Sequence, residues 1–200
     1  MARLIQIGLT GGIACGKSTV ARLLARKHAY LICADEAARA ALGKGQPAWR
    51  QVVRTFGKRI LTTDGNIDRK KLGALVFASP RKRARLEAIV HPHVRRQWRR
   101  QLARCAGERK FRAAVVDVPL LYEVNIAKLF DAVVVVAASR ATQLKRLRER
   151  GLSGREAEAR IGAQWPIQRK IDLADYVVWN DGSLPLLRQQ VNRIWKSIAE

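Results

Sequence analysis

Acidic residues are scarce in this chain: 16 Asp and Glu stand against 39 Lys and Arg in 200 residues, leaving a net charge of +23. So unbalanced a surface attracts polyanions such as nucleotides, nucleic acid or anionic membranes. Cysteine is sparse as well. Cys15, Cys33 and Cys105 form an odd, widely spaced set without a C-x-x-C pair, which argues against a disulfide framework or a zinc knuckle and suits a reducing cytoplasm. Long apolar runs are missing. The longest uncharged one, Ala132 to Ala138, is far too short to cross a bilayer, so no membrane segment is expected. The opening MARLIQIGLTGG brings in glycines before a secretory apolar region is complete, so no signal peptide is expected. The five tryptophans (Trp49, Trp98, Trp165, Trp179, Trp195) show no stacking period and are assigned mostly to packing.

What is present is an apolar content of 48%, enough for a core in one domain. Short β-branched runs alternate with longer amphipathic stretches, the pattern of βα units around a parallel sheet. The α/β fold predicted is a five-stranded parallel sheet flanked by helices, with strands at Leu4 to Thr10, Tyr30 to Cys33, Ala113 to Asp117, Ala132 to Ala137 and Tyr176 to Trp179. Helices are expected at about Lys17 to His28, Asp35 to Leu42, Pro47 to Phe56, Arg69 to Phe77, Pro80 to Val90, His93 to Cys105, Arg140 to Arg150, Gly154 to Gln164 and Leu184 to Ala199. Ser79 before Pro80, and Ser153 with Glu156, are helix start signals. The long gap between the second and third strands implies a helical insert, about residues 44–110, within a single domain of residues 1–200. A second, Arg-rich helical segment covers about residues 142–166.

The first strand runs into Gly11-Gly12-Ile13-Ala14-Cys15-Gly16-Lys17-Ser18 and then Thr19, which satisfies G-x-x-x-x-G-K-[ST] between a strand and a helix. Such a loop turns backbone amides toward a phosphate, with the following helix N-terminus aimed at the same anion. Lys17 is expected to reach the β- and γ-phosphates of a nucleotide such as ATP, and Ser18 to offer its hydroxyl to Mg²⁺. Asp117, at the end of a buried strand, is the candidate metal carboxylate, acting through water. Asp35, just after the second strand, is placed either to accept a proton from an acceptor hydroxyl or to cap the next helix, and the two roles can coexist. Cys15, beside converging amides and a helix N-terminus, is expected to be the most reactive thiol, with Cys33 buried by its strand.

Taken in order, Ile7-Gly8-Leu9-Thr10-Gly11-Gly12-Ile13, Gly16-Lys17-Ser18-Thr19, Ala34-Asp35, His91-Pro92 and Asp117-Val118-Pro119-Leu120-Leu121-Tyr122-Glu123 resemble the dephospho-coenzyme A kinase family. Further matching segments are Gln143-Leu144-Lys145-Arg146-Leu147 with Arg150, Arg160-Ile161 with Gln164, Ala174-Asp175-Tyr176-Val177-Val178, and Asn180 with Gly182. The resemblance implies a P-loop NTPase fold with a helical acceptor-binding insert and a lid. It also implies transfer of the γ-phosphoryl group of ATP to the ribose 3′-hydroxyl of dephospho-CoA, with Mg²⁺. Under it Asp35 is the general base, Lys17 and Arg146 are catalytic, and the loop with Arg150 and Asn180 binds ATP. Thr10, Asp35, His91, Asp117, Pro119 and Leu120 then face the acceptor. The family usually carries Gly-Ser at Ala14-Cys15 and a first aspartate at Cys33, so this chain lacks one carboxylate near Asp35. From Arg81 to Arg112 the chain carries twelve basic residues, including Arg109, against two glutamates, and most are read as solvated. Two other readings are a nucleoside monophosphate kinase-like enzyme and a nucleic-acid-binding ATPase. A nucleic-acid partner is not expected, although the charge permits nonspecific binding.

Overall fold

Five short runs rich in valine and isoleucine become strands in the computed structural model, which describes residues 4–108 and 110–199. They are β1 (Ile5–Gly11), β2 (Ala29–Cys33), β3 (Ala113–Asp117), β4 (Ala132–Ala137) and β5 (Tyr176–Trp179), in the sheet order β2-β3-β1-β4-β5. The fold is the α/β architecture with a five-stranded parallel sheet that the sequence predicts. β1 lies at the centre. It pairs in parallel with β3, Leu9 opposite Asp117, and with β4, Gly11 opposite Val136. Every residue of β4 is buried, which is why a strand covered on both faces reads as an unbroken AVVVVA. Gly8 is required by close packing, because a Cβ there would stand 2.7 Å from the side chains of Leu121 and Phe130.

The helices are α1 (Lys17–Ala25), α2 (Ala34–Ala41), α3 (Pro47–Phe56), α4 (Arg69–Phe77), α5 (Pro80–Gly107), α6 (Arg140–Glu149), α7 (Gly154–Gly162), α8 (Ile167–Asp172) and α9 (Leu184–Ala199). The chain divides into two compact units, one running to Ile32 and resuming at Arg104, the other Cys33–Ala103. In the first, α1 and α9 share a core with the sheet. α9 contributes Leu187, Val191, Ile194 and Trp195, the one-face spacing of an amphipathic helix, packed with Ile7, Leu24, Val134 and Val178. In the second unit α3 buries Ala48, Val52 and Phe56 from a proline-initiated first turn. Asp68 caps α4 by accepting from the Lys70 and Lys71 amides, and the Lys71 bond is the main cause of its lowered carboxyl pKa.

Several boundaries differ from the sequence reading, each for a physical reason. α1 ends at Ala25 instead of His28, because His28 lies in the left-handed region at φ 61°. The helices expected to break at His91-Pro92 are one 28-residue helix, with Pro92 inside α5. Proline there deletes one amide donor but need not end a helix whose other turns are bonded. Asp35 does not cap α2. Its N-cap is Cys33, which makes no side-chain cap bond, and Asp35 sits exposed in the first turn. α8 had no sequence signal. The capping box of Ser153 and Glu156 forms as expected, and Ser79 accepts from the Lys82 amide at 3.3 Å. Arg109 lies outside the described residues. No described helix is long and apolar enough to cross a membrane.

Candidate active site

β1 delivers the chain into the glycine-rich loop, and the loop into α1. Two of its positions are conformationally demanding: Ala14 sits at φ 60° and Gly16 at φ 90°. Gly16 is obligatory, since a Cβ there would stand 2.1 Å from the Asn180 Nδ2. Ala14 accepts the strain that glycine would avoid, and its methyl is buried with Leu147 of α6 and Ala157 of α7.

The loop's carbonyls are all occupied. The Gly12 carbonyl accepts from the Cys15 amide at 3.2 Å, and the Ile13 carbonyl from Gln143 Nε2 at 2.7 Å. Arg146 Nη1 donates to the Ala14 carbonyl at 3.1 Å, and Asn180 Nδ2 to the Cys15 carbonyl at 2.8 Å. Gln164 Oε1 accepts the Ile13 amide at 2.8 Å. By contrast, no acceptor among the described residues takes the amides of Ala14, Gly16, Lys17 or Ser18. α1 itself has no side-chain N-cap and no acidic residue in its first turn. A row of carbonyls tied outward leaves a row of donors inward, beside the positive end of a helix dipole. This is an anion cradle.

Lys17 forms an ion pair with Asp117, both side chains mostly buried. Ser18 is exposed at the start of α1, and Thr19 accepts from Arg22 at 3.5 Å. The Asp117 to Glu123 segment is wired to its surroundings at several points. Thr10 is fully buried and its hydroxyl donates to the Pro119 carbonyl at 3.0 Å, so Thr10 tethers that loop. Leu120 is 40% exposed while Leu121 is buried. The Tyr122 hydroxyl donates to the Leu173 carbonyl at 2.8 Å, and burial, helped by the Asp175 charge, pushes its pKa up to about 12. Glu123 pairs with Lys170 at 2.7 Å.

Other candidates stand elsewhere or act differently. Arg146 and Asn180, expected as a catalytic residue and an ATP-binding residue, hold the loop backbone; Arg146 Nη2 also donates to the Asn180 carbonyl at 2.9 Å. Arg150 is exposed at the end of α6, with no side-chain partner among the described residues. Asp35 and His91 belong to the unit Cys33–Ala103. His91 is partly buried within α5. Burial lowers its pKa, Arg95 adds to this and Glu87 opposes it, so the imidazole is neutral near pH 7. The reactive-thiol expectation for Cys15 is overturned: the side chain is fully buried in the sheet core, and that burial pushes its thiol pKa up against the pull of its backbone hydrogen bonds and Arg146. Cys33, expected to be buried, is partly exposed.

Sequence reasoning placed Gln143, Gln164 and Glu123 in the segments that carry the resemblance without giving them a role, and did not single out Lys170. Their roles lie in partners up to 151 residues away.

The model of the dephospho-CoA kinase family matches residues 5–185. The chain belongs to the dephospho-CoA kinase family. A dephospho-CoA kinase of Anaeromyxobacter dehalogenans is 51% identical over 189 residues, covering 94% of this chain and 89% of the relative. One of Bacillus anthracis is 44% identical, covering 96% of each chain. Among solved structures, a Thermus thermophilus protein superposes over 100% of both chains with TM-score 0.87 at 32% identity. The Campylobacter jejuni dephospho-CoA kinase gives TM-score 0.71 at 29% identity, covering 97% of this chain and 96% of that one. A shikimate kinase of Bacteroides thetaiotaomicron, at 16% identity and TM-score 0.50, shares the fold alone.

Whether Mg²⁺ suits the site is a question of donors. Among the described residues no group of three or more His, Cys, Asp or Glu is placed to hold a metal. The Ser18 hydroxyl and the Asp117 carboxylate instead offer two oxygens. That fits an ion that keeps several waters and shares its coordination with substrate phosphates.

Proposed function

We propose that this chain is an ATP-dependent dephospho-CoA kinase that phosphorylates the ribose 3′-hydroxyl of dephospho-CoA to complete coenzyme A. The observation that carries the reading is the cradle, with its carbonyls tied outward and its amides left for an anion, joined in one chain to Asp117-Val118-Pro119-Leu120-Leu121-Tyr122-Glu123. The amides of Ala14, Gly16, Lys17 and Ser18 receive the nucleotide phosphates. Lys17 exchanges its Asp117 partner for the γ-phosphate, and Arg146 brings its remaining guanidinium donors to the same charge. Ser18 and Asp117 would hold Mg²⁺, which supplies neutralisation of phosphate charge when bound. Asp35, exposed in the first turn of α2, takes the proton of the 3′-hydroxyl as its oxygen bonds to the γ-phosphorus and ADP departs. His91, Pro119 and Leu120 belong to the acceptor side in this reading, with the fully buried Thr10 acting only through the Pro119 carbonyl it tethers, and the residues 44–110 and 142–166 to the acceptor insert and the lid. Free cysteines at 15, 33 and 105 suit the reducing cytoplasm as its place of work.

The test is a coupled assay of ADP release with dephospho-CoA, AMP or RNA added separately. Turnover stimulated by dephospho-CoA alone, with coenzyme A as product, is the expected result. Turnover with AMP, or ATP hydrolysis raised by RNA, would replace this reading.

A further inference from the structure

Among the described residues Lys170 is the charged side chain that is fully buried, at 0% exposure. It sits on α8, a six-residue helix with no apolar pattern to specify it. Its Nζ pairs with Glu123 Oε1 at 2.7 Å and donates to the Pro119 carbonyl at 3.3 Å. The same Glu123 Oε1 accepts the Trp165 amide at 3.1 Å, while Glu123 Oε2 is buried with no hydrogen-bond partner. A carboxylate in that position depends on its one ion pair, because an unpaired buried charge is strongly destabilising.

Two further bonds extend the connection. Gln164, adjacent to Trp165, accepts the Ile13 amide of the cradle, and the Tyr122 hydroxyl is bound to the Leu173 carbonyl. The stretch from Gln164 to Leu173 therefore grips the phosphate loop at one end and the Asp117 to Glu123 loop along its length. Thr10, one residue before the glycines, meets the same Pro119 carbonyl from the other side.

We propose that Lys170 is a positioning residue for phosphoryl transfer: through Glu123 and the Pro119 carbonyl it locks the loop bearing Asp117 to the strut that holds Ile13, and so fixes the spacing between Asp117 and the phosphate cradle. The proposal rests on the kinase reading for its consequence in turnover, although the strut itself is independent of that reading. Misplacement of reacting groups by about 1 Å costs on the order of 100-fold in rate, so a strut of this kind acts on kcat more than on ground-state affinity.

Lys170→Met alone strands Glu123 and is expected to lower the melting temperature. The decisive variant is therefore Lys170→Met/Glu123→Met, which removes both charges together and leaves two apolar chains of similar length, a replacement that is often neutral for stability. Hydrogen exchange, melting temperature, ATP affinity by calorimetry and turnover with dephospho-CoA are measured on wild type and on this variant. The proposal requires four results in the variant: a melting temperature near wild type, at least 10-fold faster exchange at the Ile13 and Trp165 amides with β4 amides unchanged, kcat reduced at least 10-fold, and an ATP dissociation constant within threefold. Recovery of kcat together with stability overturns it, since the pair would then serve folding alone. Unchanged exchange at Ile13 overturns it too. If the double variant does not fold, Thr10→Val, which removes the other donor to Pro119, carries the same exchange and kcat criteria. A wild type inactive on dephospho-CoA would instead strike the kinase reading, while the exchange result still decides the strut.

Discussion

Lys17 and Asp117 neutralise one another with both side chains mostly buried, so removing either leaves the other charge without its partner. Lys17→Ala is expected to reduce phosphoryl transfer by about 10²- to 10³-fold or more and to lower the melting temperature moderately through the unpaired Asp117; near-normal turnover would displace Lys17 from the reaction. Asp35 is exposed and caps nothing, so Asp35→Asn is expected to lower kcat by about 10²- to 10⁴-fold with ATP affinity and stability intact. Calorimetric titration beside initial-rate kinetics separates these quantities. Cys15 offers a different kind of check. The sequence made its thiol look activated, because the loop's amides and the helix end are close by in the chain. The side chain turns away from them into the core, where burial opposes ionisation. Mass spectrometry after brief treatment with a thiol reagent should find Cys33 modified before Cys15, with no dependence of Cys15 on ATP. Prompt ATP-sensitive labelling of Cys15 would contradict the packing described.

At the level of helices and strands, what could be read in advance was what is local. β4 announces itself because a strand buried on both faces needs no polar residue, and the Ser153 capping box closes within four residues. α9 was legible from its apolar spacing, and Trp195→Ala on its buried face should destabilise the protein by about 3–5 kcal/mol in denaturant unfolding. The glycine-rich loop was equally plain, being fixed by eight consecutive residues. Hidden from the sequence were α8, which a buried ion pair holds in place, and the continuity of α5 through Pro92, which local rules count as a boundary. Arg146 and Asn180 were found as residues but not as tethers, since their partners lie 132 and 165 positions away. The loop between β3 and β4 provides a pH test. The Tyr122 phenol has its folded pKa raised from 10 to about 12. Its stabilising effect is complete below pH 10 and is lost as pH rises through 12. Unfolding monitored across pH 9–12 should show a steeper alkaline decline in wild type than in Tyr122→Phe; identical declines would remove Tyr122 as the cause.

Across the entire molecule the dominant quantity is the net charge of +23. Such a charge repels itself, and added salt screens it over a Debye length of about 8–10 Å near physiological strength. The melting temperature is therefore expected to rise between low and moderate sodium chloride, whereas association with the anionic nucleotide should slow. A flat melting temperature would mean that the excess positive charge is spread too widely for its repulsion to weigh on the fold. Chain order adds a consequence for synthesis. The phosphate loop is completed by residue 18, but the side chains that shape it, Gln143, Arg146, Gln164 and Asn180, are all in the last third of the sequence. At about 5–20 residues per second, translation separates the loop from Asn180 by roughly ten to thirty seconds. Until residue 143 the growing polypeptide owns the recognisable phosphate-binding sequence but none of the struts that give it shape, so ATP is unable to chaperone its early folding. Ribosome-arrested chains ending at residue 130 should accordingly fail to retain a fluorescent ATP analogue that the released protein holds.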